Sequence, residues 1–209
     1  MYREITGVLL TAVMLVGCVQ HYQTLRHRAI QLPPGALEQH GIAFITPSTV
    51  TGQEQEKQAV ALIFASVLKR ERPAIRSVTL AETLGTINRV EMTADYRNMY
   101  ADYRDTGLFK RDTLARVGEV TGVRYVAQLK LQGFSQDERE RFKFFGLRIL
   151  ETKQATLRLF FQVWDTQQGN IVWEGTEELR LAGDSFLEQP ITLTRILERA
   201  AEDLIAKLP

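Results

Sequence analysis

The sequence predicts an α/β domain over residues 41–209. It is a single mixed sheet, two-layer or three-layer-like, with flanking helices, a C-terminal antiparallel meander and a covering C-terminal helix. Three observations predict it. Residues 123–132 and 155–164 alternate apolar and polar side chains with the period of two that half-buried strands show. Residues 53–70 and 188–208 repeat apolar residues at helical spacing instead. Strand and helix signals alternate through the first half of the region, and strands then follow strands, the order of an α/β unit that closes in a hairpin block.

Each element has a local reason. Ile42-Ala43-Phe44-Ile45 is a short apolar run ended by Pro47, which reads as a buried strand. Val60, Ile63, Phe64, Val67 and Leu68 form one helical stripe, and Pro73 closes that helix. Val78 marks a second short strand. Thr79 and Glu82 have the spacing of a capping box ahead of Leu80, Leu84 and Ile87. Asp112 is expected to N-cap a helix carrying Leu114, Ala115 and Val117, with Gly122 at its C′ position. The strand that follows sets Val123, Tyr125, Ala127, Leu129 and Leu131 on one face. Arg124, Gln128, Lys130 and Gln132 take the other. Leu157, Leu159, Phe161 and Val163 line the next strand. Asp165 to Gly169 turns, and residues 170–181 return with Ile171 and Trp173. Leu193, Ile196, Leu197, Ala200, Ala201, Leu204 and Leu208 make the stripe of the last helix.

Composition narrows the class. The chain has 209 residues, 26 Lys+Arg against 25 Asp+Glu, 44% hydrophobic residues and one Cys. A net charge of +1 offers no electrostatic footprint for nucleic acid. A mean hydropathy of -0.16 excludes a polytopic membrane protein, and the apolar content excludes a disordered chain. One Cys makes no disulfide framework.

That Cys is placed by an address. Residues 1–17 have the form of a signal peptide, with Arg3 partly offset by Glu4. An apolar run follows from Ile5 to Val16, too short for a spanning helix of roughly 20 residues. The run ends in Leu15-Val16-Gly17-Cys18, which resembles the lipobox of bacterial lipoproteins. The resemblance implies cleavage before Cys18 and a diacylglyceryl thioether on its sulfur. Val19, where a retention signal would show Asp, implies the outer membrane, with the domain facing the periplasm. Residues 18–40, containing Pro33-Pro34-Gly35, are expected to be a lipidated tether reaching at most ~70 Å. Arg26, His27 and Arg28 would either touch lipid phosphates there or lie simply in solvent.

No catalytic constellation is legible. His21, His27 and His40 all precede residue 41, so His-based and Cys-based catalysis and His- or Cys-ligated metals are excluded from the domain. No phosphate-binding glycine motif or nucleophile elbow occurs, so no cofactor is expected. Among carboxylates, Glu177 and Glu178 must point to opposite faces of a strand. Asp137, Glu138 and Glu140 are interleaved with Arg139, Arg141 and Lys143, as on a solvated face.

Two constellations are candidates for binding a partner. Ala94-Asp-Tyr-Arg97 recurs as Ala101-Asp-Tyr-Arg104, which stacks Tyr96 on Tyr103 and Arg97 on Arg104 along a helix, with Tyr100 beside them. Tyr and Arg are residue types that carry binding energy at interfaces, but a buried stripe has the same spacing. The second is Arg141-Phe-Lys-Phe-Phe-Gly-Leu-Arg-Ile-Leu150, in a connection of about 20 residues read as a partly exposed flap. Phe142, Phe144 and Phe145 there either pack under the sheet or face a partner.

Gly122-Val123-Arg124-Tyr125-Val126 after a helix, and Val163-Trp164-Asp165 followed by Gly169-Asn170-Ile171-Val172-Trp173, carry a resemblance. They are similar to marks of the curli-secretion-channel lipoprotein superfamily. That group includes the penicillin-binding-protein activator lipoprotein and the N-terminal domain of the Tol–Pal translocation protein. Over residues 41–206 the resemblance implies a periplasmic α/β domain used in protein–protein assembly, and it transfers no catalytic residue. A secretion channel needs apolar lipid-facing hairpins, whereas the 134–154 insertion begins Phe134-SQDERERFK and is charged. The short tether likewise departs from the long reach of the activator lipoprotein. The expectation is a non-enzymatic envelope lipoprotein that docks or stabilises a protein partner, with contacts at Tyr96, Arg97, Tyr100, Tyr103, Arg104, Phe144 and Phe145. The alternatives are an oligomeric secretion or pore component and a carboxylate-based hydrolase of envelope glycans.

Overall fold

A computed structural model describes residues 20–49, 54–144, 147–185 and 192–209; for 20–21, 54, 136–144, 147–153 and 182–185 it is the backbone alone that is described. Seven strands form one open mixed sheet in the order β1-β7-β6-β5-β2-β4, with β3 pairing onto β5. The strands are β1 (Gln20–Ala29), β2 (Ile42–Phe44), β3 (Ser48–Thr49), β4 (Ser77–Val78), β5 (Tyr125–Phe144), β6 (Leu147–Asp165) and β7 (Asn170–Ser185). The helices are α1 (Ala36–His40), α2 (Glu54–Glu71), α3 (Leu80–Arg89), α4 (Thr93–Thr106), α5 (Arg111–Thr121) and α6 (Leu193–Ile205). Strands β2 and β4 are parallel to one another and to the start of β5, while β5, β6, β7 and β1 are antiparallel.

Both faces of the proximal sheet are covered, so the arrangement is three-layered there. On one face Ala127, Leu129, Leu131, Leu157, Leu159, Phe161 and Trp173 are buried under α2 and α6. On the other, Val126 and Trp164 are buried with Met92, Tyr96, Met99 and Phe109 under α3, α4 and α5. Alternation fixes which residue goes where, because one step along a strand exchanges the faces. Gly175 is required by the first face. A Cβ there would lie 2.5 Å from the Trp173 ring and 2.8 Å from Leu204, so α6 seats on the sheet only over a hydrogen.

Local signals that the structure bears out include the capping box. Thr79 accepts from the Glu82 N–H at 3.3 Å, and the Glu82 carboxylate accepts from the Thr79 N–H at 2.8 Å. Gly122 ends α5 in the left-handed region at φ 68°, and Gly169 turns β6 into β7 at φ 75°.

Four expectations change. The ordered fold does not begin at residue 41: residues 20–40 are not a free tether but contain β1, paired with β7 over ten residues from Gln20↔Ala182 to Ala29↔Trp173, and α1, whose Leu37 is fully buried. The physical reason is that β7 would otherwise be an edge, and polar, basic β1 covers it. The 134–154 segment is not a flap. β5 and β6 run on as one hairpin whose pairing reaches Phe144↔Leu147, with irregularities after Leu131 and around Phe142. Asp112 is not the cap of α5; Lys110 holds that position without a side-chain bond, and Asp112 lies in the first turn. The last helix begins after Thr192, whose hydroxyl accepts from the Arg195 N–H, rather than at Glu188.

Candidate functional site

The sequence-predicted residues are separated by the fold. Tyr96 and Met99 are buried on the inner side of α4, with Tyr100 and Tyr103 half-buried beside them. Their hydroxyls are used within the molecule. Tyr96 accepts from the Thr46 N–H at 3.0 Å, Tyr100 donates to the Thr46 carbonyl and to Gln128 Oε1, and Tyr103 donates to Gln162 Oε1 at 3.2 Å. The rings pack edge to face, Tyr96 on Tyr100 at 5.1 Å, and Tyr103 stacks on Phe109 at 4.3 Å. Burial accordingly pushes the Tyr96 and Tyr103 hydroxyls above their ordinary value and Tyr100 well above it. The outer side of α4 keeps Arg97 and Arg104 exposed, the latter beside Asp105. Phe144 stands at the last described position of β5, opposite Leu147. Cys18 and Phe145 lie outside the described residues.

The most unusual electrostatic group is one that sequence reasoning did not single out. Glu177 on β7 is fully buried, in line with Trp173, Gly175 and Leu179 on the face under α6. Gln23 of β1 donates from one amide nitrogen to Glu177 Oε1 and to Asp203 Oδ2 of α6, both at 2.8 Å. Arg199 pairs with Asp203 at 3.0 Å, and Glu177 Oε2 has no partner among the described residues. Burial raises the Glu177 carboxyl to about 8, with the Asp203 charge adding to the effect and the Gln23 bond opposing it. The neighbouring Glu178 points to the opposite side and pairs with Arg158 at 3.0 Å, as the strand period requires. The cluster ties three elements together: the N-terminal strand, the strand it covers and the last helix. It does not have the form of a glycosidase pair, whose two carboxyls face a substrate between them. Here both are turned toward Gln23 and Arg199, and neither lines a described cavity.

Concavities among the described residues include three. One of about 630 Å³ runs between α2 and α3, lined by Ala59, Leu62, Leu80 and Leu84, with Leu62 67% exposed at its rim. Leu62 was the available signal, being apolar yet out of step with the Val60–Phe64–Val67 stripe. Two others, about 730 and 570 Å³, the smaller of them polar, share Gln39, His40 and Arg124. Their cations are engaged. Arg124 binds Asp165 through Nε at 3.0 Å and Nη2 at 2.7 Å, and Arg76 donates to the Gly122 carbonyl. The other oxygen of Asp165 accepts from the Gln167 and Gln168 N–H groups, so this pair holds the β6–β7 turn. Among the described residues there is no cluster of metal-ligating side chains. No described helix is long and apolar enough to cross a membrane.

Fold and site together define a mixed α/β domain with an antiparallel block of four strands. No family model and no curated protein matches the chain. Solved structures similar to it include the PelC dodecamer from Paraburkholderia phytofirmans, at 14% identity and TM-score 0.44, over 90% of this chain and 94% of that one. Lipoprotein GNA1162 from Neisseria meningitidis is similar at 14% and 0.47, over 80% of this chain and 98% of that one. The LpoB C-terminal domain from Salmonella enterica is similar at 11% and 0.33, over 69% and 95%. The chain's structural neighbours thus include a bacterial lipoprotein, and with TM-scores below 0.5 these likenesses carry nothing about chemistry or partners.

Proposed function

We propose that the chain is a lipid-anchored, non-enzymatic envelope protein. Residues 1–17 are removed, Cys18 carries the lipid in the outer membrane, and the α/β domain faces the periplasm, where it docks or stabilises a protein partner in an envelope assembly. The observation that carries this reading is the distance along the chain between the lipobox cysteine and the sheet. Gln20, two residues after Cys18, is already paired with Ala182. An anchor on a long free tether leaves a domain free to turn, whereas an anchor two residues from a paired strand restricts which surface faces along the membrane. A fixed presentation suits a docking module. Because the tyrosine hydroxyls are used internally, the partner contacts assigned to α4 fall on its outer arginines, Arg97 and Arg104.

The test has two arms. Labelled palmitate should enter the wild-type protein and not Cys18→Ser; no incorporation would overturn the anchor. A photo-cross-linking residue at Arg97 or Arg104 in cells should give one discrete adduct that Cys18→Ser loses. If neither position gives an adduct, docking through α4 is wrong, and an adduct of two copies of this chain would indicate an oligomeric component instead.

A further inference from the structure

Strand β1 is the edge of the sheet, paired on one side to β7 alone. Among its described side chains, Tyr22 to Ala29, none is buried, and Leu25 is the one that packs on the apolar core. The chain beyond it is fixed. The Ile30 and Gln31 N–H groups both donate to the Val172 carbonyl, at 2.9 and 3.0 Å, and Leu32 is buried. Helix α6 is seated by six buried residues from Ile196 to Ile205.

Glu177 lies between these two covers. Register flanks it with Leu25 of β1 and Leu159 of β6. Its carboxyl and that of Asp203 take the two hydrogens of the one Gln23 amide nitrogen, each at 2.8 Å. Its other oxygen has no partner among the described residues. The charged groups around it come from few places. Helix α6 brings Asp203, Arg199 and Glu202, and Arg199 is already shared by Asp203 at 3.0 Å and Glu202 at 3.7 Å. Helix α2 brings Arg70, bound to Glu202 at 2.7 Å. Strand β1 brings His27, opposite Gly175 and exposed. From β6 that face is Leu157, Leu159 and Phe161.

Such a place suits a neutral carboxyl. An ionised one between two leucines, with an orphan oxygen and a second carboxylate on the same donor, carries a desolvation cost that nothing there offsets. Of its two covers β1 is the weaker, and the weakly packed element opens first. We propose that β1 is a pH-sensitive strap: it lies closed over Glu177 while that carboxyl keeps its proton, and it peels from β7 when the proton leaves to water. The strand pivots at residues 30–32, and α6 stays seated. Release bares β7 from Trp173 to Ala182, an edge whose unpaired backbone groups are a template for an added strand.

The raised carboxyl sets the window. Burial lifts Glu177 from 4.5 to about 8, and opening returns it toward the lower value. Opening therefore gains up to ~tenfold per pH unit across that interval and levels off above it.

The experiment is amide hydrogen exchange of the full chain from pH 5 to 9, with rates corrected for the intrinsic effect of pH. Protection of β1 should be lower than that of residues 155–163 on β6 at every pH. It should fall by up to ~tenfold per unit until about pH 8. Glu177→Gln, which keeps the Gln23 bond without the titration, should remove the fall. Asp203→Asn takes away the neighbouring charge and leaves Glu177 in place, so the fall should end at a lower pH. Equal protection of β1 and β6 at every pH would mean that β1 opens only with the whole domain, and overturns the strap. Low protection of β1 that does not change with pH is edge fraying and overturns it too, as does a fall that survives Glu177→Gln. A fall that ends unchanged in Asp203→Asn overturns the shared-donor geometry on which the strap rests.

Discussion

The two faces of the sheet hold their helices by different means. Under α2 and α6 the contact is hydrocarbon and ring: Phe161 sits edge-on between Phe64 at 5.7 Å and Trp173 at 5.1 Å, and Leu197, Ala200, Ala201 and Leu204 close over it. Among the described residues, Glu177 is the one acidic group buried on that face. Under α4 the sheet supplies Gln128 and Gln162 to the hydroxyls of Tyr100 and Tyr103, and Thr46 donates its N–H to the hydroxyl of Tyr96. The apolar face depends on volume, where any lost methylene is felt. The aromatic face depends on hydrogen bonds whose net worth is small, though leaving one unmade is costly.

The largest effect should therefore come from the apolar face. Phe161→Ala removes a ring with partners on both sides and should cost about 3–5 kcal/mol, read as a drop in the denaturant midpoint. A loss below about 1 kcal/mol would mean that α2 and α6 collapse into the space, and the contrast between the faces would weaken.

Glu177 sharpens the same contrast, since it is the exception on its face. Its carboxyl is raised from 4.5 to about 8, so the folded chain holds a proton that the unfolded chain releases between those values. Folded stability from this group is complete below pH 4.5 and is lost as pH rises toward about 8. Thermal melting across that window should show wild-type stability falling with pH, and Glu177→Gln should remove this part of the slope while keeping the Gln23 contact in neutral form. A slope unchanged in Glu177→Gln would assign the titration to other groups. Released charge at Glu177 would be felt first by β1 and α6, because Gln23 and Asp203 are its neighbours.

How much of this was legible follows from which partner each residue needs. The apolar face was read correctly from alternation, because Leu157, Leu159, Phe161 and Val163 declare it within ten residues. The helices α2 and α6 and the Thr79 cap were legible for the same reason: their signals are local. The α4 tyrosines were ambiguous because their partners, Thr46, Gln128 and Gln162, lie 28 to 59 residues away, so a buried stripe and a docking stripe look alike. Strand β1 was missed because Gln20-His-Tyr-Gln-Thr-Leu-Arg-His-Arg-Ala29 has no clean period. An edge strand that buries few side chains writes little pattern, and its position is set by β7. The long hairpin was missed because consecutive charges over Asp137–Arg141 remove the period-two signature.

The smallest effect belongs to the hydroxyls of α4, and two variants separate packing from hydrogen bonding there. Tyr96→Phe keeps the ring against Tyr100 but leaves the Thr46 N–H, at the end of β2, without its 3.0 Å acceptor. An unpaired buried donor costs about 1–3 kcal/mol. Tyr103→Phe keeps the stack on Phe109 and frees Gln162, which also accepts from the Trp164 indole N–H at 3.3 Å and stays satisfied, so the loss should be about 0.5–1.5 kcal/mol. Urea unfolding of the two variants should rank them in that order, with unchanged m values. Equal and near-zero losses would show that the aromatic face is held by its rings alone, like the face opposite, and the difference between the two sides of the sheet would be one of composition only. A Tyr103→Phe loss larger than that of Tyr96→Phe would place the critical contact at Gln162 on β6 instead of at Thr46, and shift the seat of α4 toward the antiparallel strands.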